Sequence, residues 1–77
     1  MITARQIRAA RVLLGWSRQD LAHHAGLSLN GVKRLESGHG DPRMSTVRAV
    51  KAALEAGGLE FVSAGDGKGE GVRLAVS

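Results

Sequence analysis

Ser17-Arg18-Gln19-Asp20-Leu21-Ala22-His23-His24-Ala25-Gly26-Leu27-Ser28-Leu29-Asn30-Gly31-Val32-Lys33-Arg34-Leu35-Glu36-Ser37-Gly38 is the stretch whose reading decides the fold. Ser17 and Ser28 stand where a hydroxyl accepts from the first turn of a helix. Gly26 and Gly38 each follow an apolar-periodic run, the usual place for a left-handed residue that ends a helix. Two short helices are therefore expected, over 18–25 and 29–37. A turn as short as Gly26-Leu27-Ser28 forces them to cross closely and at a steep angle. Ala22 keeps the crossing point small, and Gly26 permits the left-handed backbone of the turn. Leu21, Leu27, Val32 and Leu35 are placed to close a core beneath the crossing.

Working outward, Thr3 stands three residues before Gln6, a capping-box arrangement that opens a helix over about 3–14, ended by Gly15. On the other side, Ser45 is the expected cap of a fourth helix over about 46–56, ended by Gly57-Gly58. Ile7, Ala10 and Leu14 repeat at helical spacing, as do Val47, Val50 and Leu54, which marks both buried faces. Met44 lies just ahead of the fourth helix, in position for a hydrophobic staple. Pro42 makes the connection before it extended.

Past Gly58 the apolar period shortens from 3.6 to 2. Leu59 and Phe61 share one strand face, and Val72, Leu74 and Val76 share another. The glycine-rich polar run 63–71 between them reads as the mobile connection of a β-hairpin. A lone hairpin is marginal in water, so its apolar face must pack on the helices or on a second copy.

Seventy-seven residues allow one small core. With no cysteine to add a disulfide or thiolate metal site, oligomerisation is the common remaining source of stability. Trp16 and Phe61 are the only aromatics, which argues against base-stacking platforms for single strands or RNA. The net charge of +4 is concentrated: residues 1–56 hold nine Lys/Arg against four Asp/Glu, whereas residues 57–77 hold two against three. That distribution suits a partner bearing phosphates. No run is apolar enough for a membrane span or signal peptide. Residues 1–19 contain arginine and no acid, as a transit peptide would, but they run unbroken into the helical pattern. His23 and His24 point about 100° apart on a helix and have no further ligands at metal spacing. Gly67-Lys68 lacks the following Ser/Thr and the helix of a phosphate cradle. No nucleophile–base–acid or paired-carboxylate arrangement stands out. Neither metal, cofactor nor catalysis is expected, and a cysteine-free chain fits a reducing cytoplasm.

Residues 17–38, with the helices on either side, resemble the phage Cro/C1 repressor-type helix-turn-helix family over about residues 3–56. The resemblance implies a mainly α, compact four-helix, lambda-repressor-like domain (1–58); the two-stranded β-hairpin appendage (59–77), read from its period of 2 and placed in the same folding unit, lies outside the common family pattern. The resemblance also implies that the third helix enters the major groove of double-stranded DNA and that dimers read palindromic half-sites. Arg11 and Glu36 match the family's partly buried ion pair, which ties the third helix to the scaffold. With Val32 and Leu35 turned inward, the expected base readers are Leu29, Asn30, Lys33 and Arg34. Asn30 suits adenine N6/N7, Lys33 guanine O6/N7 and Leu29 a thymine methyl. Arg18, which stands where the family usually has glutamine, Ser28, the amides near Gly38 and His39, and Arg43 are the expected backbone contacts. Gly31 sits inside the third helix at a cost; close approach of the second helix or of DNA would explain it.

Leu59, Phe61, Val72 and Leu74 are the expected dimerisation residues, with a strand edge pairing across a twofold axis. The same face could instead complete only the monomer core. The resulting function is sequence-specific operator binding as a homodimer and transcriptional regulation, repression in particular. The alternatives are an autoregulatory antitoxin of a toxin–antitoxin module and a protein-interaction adaptor that does not touch DNA.

Overall fold

The computed structural model describes residues 2–75. Four helices are followed by a hairpin: α1 (Ala4–Leu13), α2 (Arg18–Ala25), α3 (Leu29–Ser37), α4 (Met44–Ala56), β1 (Leu59–Val62) and β2 (Gly71–Leu74). Local chemistry accounts for most of the boundaries. The Thr3 hydroxyl accepts from the Gln6 amide at 3.1 Å while the Thr3 amide donates to Gln6 Oε1 at 2.8 Å. Ser17 and Asp20 form the same reciprocal box at the start of α2, at 2.9 and 3.0 Å. Ser28 Oγ accepts from the Gly31 amide at 3.0 Å. Gly26 and Gly38 close α2 and α3 in the left-handed region, at φ 70° and 76°.

The Ser17 amide, and then its hydroxyl, hold the Asp20 carboxyl below its ordinary value of 3.8. A depressed folded-state value contributes stability that is complete above the unfolded carboxylate pKa, about 3.9, and lost as pH falls through the folded one. The urea midpoint of the wild-type protein is therefore expected to exceed that of Asp20→Ala by a constant amount from pH 7 to 5. The gap should narrow below about pH 4.

Helix α4 departs from expectation. It begins at Met44 after Arg43, with no side-chain cap, so Ser45 lies inside the first turn rather than capping it. The Val47 amide donates to the Arg43 carbonyl at 3.1 Å, which adds a helical bond once the Pro42 constraint is passed. Burial of Val47, Val50 and Leu54 fixes the helix, and this packing outweighs the local preference of serine for a cap. Met44 is exposed, a turn ahead of Val47 and beyond the end of the core, so it forms no staple. Gly57 is right-handed, and Gly58, at φ 101°, carries the left-handed conformation. Gly57 leaves room for the indole: a Cβ there would stand 2.9 Å from Trp16 Cζ2, so the ring would have to shift.

The core joins Ile7 and Ala10 of α1, Leu21 and Ala22 of α2, Val32 and Leu35 of α3, Val47, Val50 and Leu54 of α4, and Leu59 of β1. Leu14 and Leu27 pack against it half-buried instead of closing it. The strands are antiparallel, with Leu59 opposite Leu74 and Phe61 opposite Val72, so these four apolar side chains share a face. Leu59 belongs to the core of its own chain, Phe61 and Val72 pack on that core, and Leu74 is 51% exposed. Val76 lies outside the described residues. The glycine-rich connection has a tight turn of its own: Gly65 and Lys68 exchange backbone bonds of 2.9 Å around Asp66-Gly67, both at positive φ.

Gln6 secures the hairpin in a way that spacing did not reveal. Its buried side chain donates to the carbonyls of Gly71 at 3.0 Å and Val62 at 3.4 Å, one on each strand.

Candidate nucleic-acid interface

The crossing of α2 on α3 positions the candidate site. Leu21 and Ala22 are buried at the contact, and the Leu27 amide donates to the Ala22 carbonyl at 2.8 Å, which tightens the turn. A methyl group at position 22 lets the helices approach, and a larger side chain would separate them.

Below this crossing lies a three-residue ion network. Arg11 meets Glu36 in a forked contact, Nε to Oε2 at 2.7 Å and Nη2 to Oε1 at 3.1 Å. Arg11 Nη1 also donates to the Trp16 carbonyl at 3.0 Å. Arg18 Nε reaches Glu36 Oε1 at 3.3 Å. The Glu36 side chain is 2% exposed, that of Arg11 12% and that of Arg18 47%. Arg18 was expected only as a phosphate contact. It bridges instead from the buried carboxylate to the surface, with its terminal nitrogens outside the contact to Glu36. The spacing of Arg18 and Glu36 did not signal this pairing, because they belong to different helices.

Trp16 is a second feature that sequence spacing missed. Its ring stacks on His24 with centroids 4.2 Å apart and planes 12° apart. The indole thus fastens the α1–α2 connection to α2 and, through its contact at Gly57, to the end of α4. His23 meets His24 edge-on, at 5.7 Å between centroids.

On the outer side of α3, Asn30, Lys33 and Arg34 are exposed and Leu29 is half-buried. Asn30 and Arg34 lie opposite the buried Val32 and Leu35, Lys33 lies on the flank, and Leu29, seven residues before Glu36, stands on the side of that buried carboxylate. Glu36 is the acid of α3, and two arginines neutralise it within the fold. The outward charge of this helix is therefore that of Lys33 and Arg34. Ser28, Gly38, His39 and Arg43 are exposed around its ends. The Gly38 amide donates to the Leu35 carbonyl at 3.4 Å and the His39 amide to Ser37 Oγ at 3.3 Å, so both already have partners within the chain. The Ser28 oxygen accepts from Gly31, which leaves the hydroxyl proton free to donate. At Gly31, the atoms nearest an added Cβ are Ser28 Oγ at 3.2 Å and Leu27 Cβ at 4.0 Å. None belongs to α2, so close approach of that helix does not account for the glycine.

Among the described residues no helix is long and apolar enough to cross a membrane. The sequence model of a family described as helix-turn-helix matches residues 7–59, from the first turn of α1 into β1. No curated protein matches the chain.

Proposed function

Because this chain belongs to the helix-turn-helix family of the Cro/C1 type, whose members are DNA-binding transcription regulators, we propose that it represses transcription as a homodimer on a palindromic operator. The observation that carries this reading is the outer face of α3. Asn30 and Lys33 are exposed there on a helix whose own carboxylate is neutralised from below, which leaves a cationic, hydrogen-bonding face on an α-helix, the element that a major groove admits. Asn30 reads adenine, Lys33 reads guanine, Leu29 covers a thymine methyl, and Arg34 contacts the edge of the site. Arg18, Ser28, Arg43 and the His39 imidazole hold the flanking phosphates, while the Gly38 and His39 amides remain in the turn. The protein acts at the nucleoid of a bacterial cytoplasm.

Three of the four hairpin residues considered for dimerisation are used within one chain, so the dimer contact centres on Leu74. Val12 and Leu13 of α1 are also exposed, and Val72 lies with them around one shallow depression. Leu74 follows Val72 on the same strand face. Leu74→Ser is expected to shift the sedimentation coefficient toward the monomer without loss of folding. Phe61→Ser would disturb the core as well and cannot separate the two effects.

Selection of bound sites from random duplex DNA tests the reading. The expected result is a palindrome with half-sites one helical turn apart. With about six phosphates neutralised per dimer, log K should fall against log salt with a slope near −5. An unenriched pool together with salt-independent binding would overturn the proposal.

A further inference from the structure

A cavity of about 680 Å³ opens between one flank of α3, the 38–43 connection, the start of α1 and the first turn of α4. Small-molecule sites fall in this size range. Ile2, Leu27, Leu35 and Val47 give it an aliphatic lining, while Arg34 and Arg43 supply two cationic groups. Asp41 is the only acid among its lining residues. A sugar–phosphate backbone would use the arginines and leave the aliphatic surface unmatched. An anion with an apolar body would match both.

Gly31 adds an independent reason. A glycine inside a helix is unfavourable relative to alanine. No atom of α2 comes within 4 Å of the missing Cβ; only the capping Ser28 Oγ, at 3.2 Å, crowds it, and Gly31 itself lines the cavity. A side chain at this position would occupy the space. The first turn of α4, which contributes Thr46 to the wall, has no side-chain cap, so its amides add to the positive potential.

We propose that this cavity binds a small carboxylate with an aliphatic or aromatic body and that its occupancy excludes DNA. The carboxylate lies between Arg34 and Arg43, and the apolar body covers Leu27, Leu35 and Val47. Ser28, Arg34, His39 and Arg43 are shared between the cavity and the DNA contacts, so the two ligands compete. The competition rests on the DNA-binding reading; the binding of the carboxylate does not.

The test titrates the full-length, ¹⁵N-labelled protein with 2-naphthoate. Inorganic phosphate and the cation 2-naphthylmethylammonium, each at matched ionic strength, serve as comparisons. Naphthoate is expected to give saturable shifts at the Gly31, Gly40 and Thr46 amides, at which neither comparison compound saturates. Arg43→Gln should weaken binding at least tenfold, and Gly31→Leu should abolish it. Because Arg43 is exposed, its variant stays informative if Gly31→Leu folds poorly. Lys68→Ala, in the hairpin turn and outside the cavity lining, should leave naphthoate affinity unchanged. Saturation by phosphate with equal affinity would identify a seat for the DNA backbone and overturn the proposal, as would shifts that do not saturate or that map elsewhere. Saturating naphthoate should lower occupancy of the selected operator at least tenfold. Unchanged occupancy would refute the competition while leaving the carboxylate site standing. If naphthoate binds and no duplex is selected, the DNA-binding reading fails and the site stands.

Discussion

Glu36→Ala is expected to lower the free energy of unfolding by about 3–5 kcal/mol, because it leaves the Arg11 guanidinium without a counter-charge in a place water barely reaches. The carboxylate accepts three hydrogen bonds from two arginines and is 2% exposed. Without it, Arg11 retains a single acceptor, the Trp16 carbonyl. Natural domains have about 5–15 kcal/mol in total, and a chain of this length lies toward the lower end. A substantial unfolded fraction at ambient temperature follows. Urea titration followed by the fluorescence of Trp16, the only tryptophan, measures the change. Two further variants identify the cause. Arg11→Met combined with Glu36→Leu removes both charges and should recover most of the loss. Arg18→Ala should cost less than about 1 kcal/mol, because that side chain is 47% exposed. A double variant as unstable as Glu36→Ala would assign the loss to packing rather than to a stranded charge.

The double variant Asn30→Ala, Lys33→Ala is expected to have the largest effect on function at little cost in folding, since both side chains are exposed. Each correct base contact contributes about 1–3 kcal/mol of discrimination, so the selected operator should lose about 2–6 kcal/mol if the two act independently. Affinity for a scrambled duplex should fall far less, because that binding depends on charge and only Lys33 contributes a charge. Asn30→Ala alone should leave the salt slope unchanged, as it removes no cation. Competition between operator and scrambled duplexes at fixed salt provides the measurement. Equal losses on both would mean that these residues hold the backbone rather than read bases.

Both predictions concern residues with different degrees of legibility in the sequence. The crossing of α2 and α3 could be read because its determinants are local: a serine cap, a small residue, a glycine and aliphatic residues at helical spacing, all within 17–38. The helix-turn-helix fold and the terminal hairpin followed from such signals. Where local and tertiary preferences compete, spacing misleads. Ser45 looks like a cap, yet α4 extends past it to Met44 because its buried face is already fixed. Leu74 has the same strand periodicity as Val72, but only Val72 packs against the core. The periodicity gives the face of a strand, and not how far along it the helices reach. Arg18 meeting Glu36, Trp16 stacking on His24 and Gln6 bonding to the hairpin are contacts between elements, so their separations in the chain follow no period. Arg11 and Glu36 were visible as a pair only through resemblance to a family, since 25 residues separate them.

The two amide bonds of Gln6 also bear on how the molecule opens. This side chain belongs to the cap of α1 and grips both strands of the hairpin, 56 and 65 residues further along the chain. Fraying at the two ends is thereby coupled. Unwinding the first turn of α1 removes the polar attachment of the hairpin and leaves only the packing of Leu59, Phe61 and Val72, and lifting the hairpin removes the acceptors of a buried amide. The segment between, which contains α2, α3 and α4, is closed like a link in a chain, and this glutamine is the polar part of its clasp. Hydrogen exchange at the amides of α1's second turn and of β2 should accordingly share a single opening free energy, although these residues lie at opposite ends of the sequence.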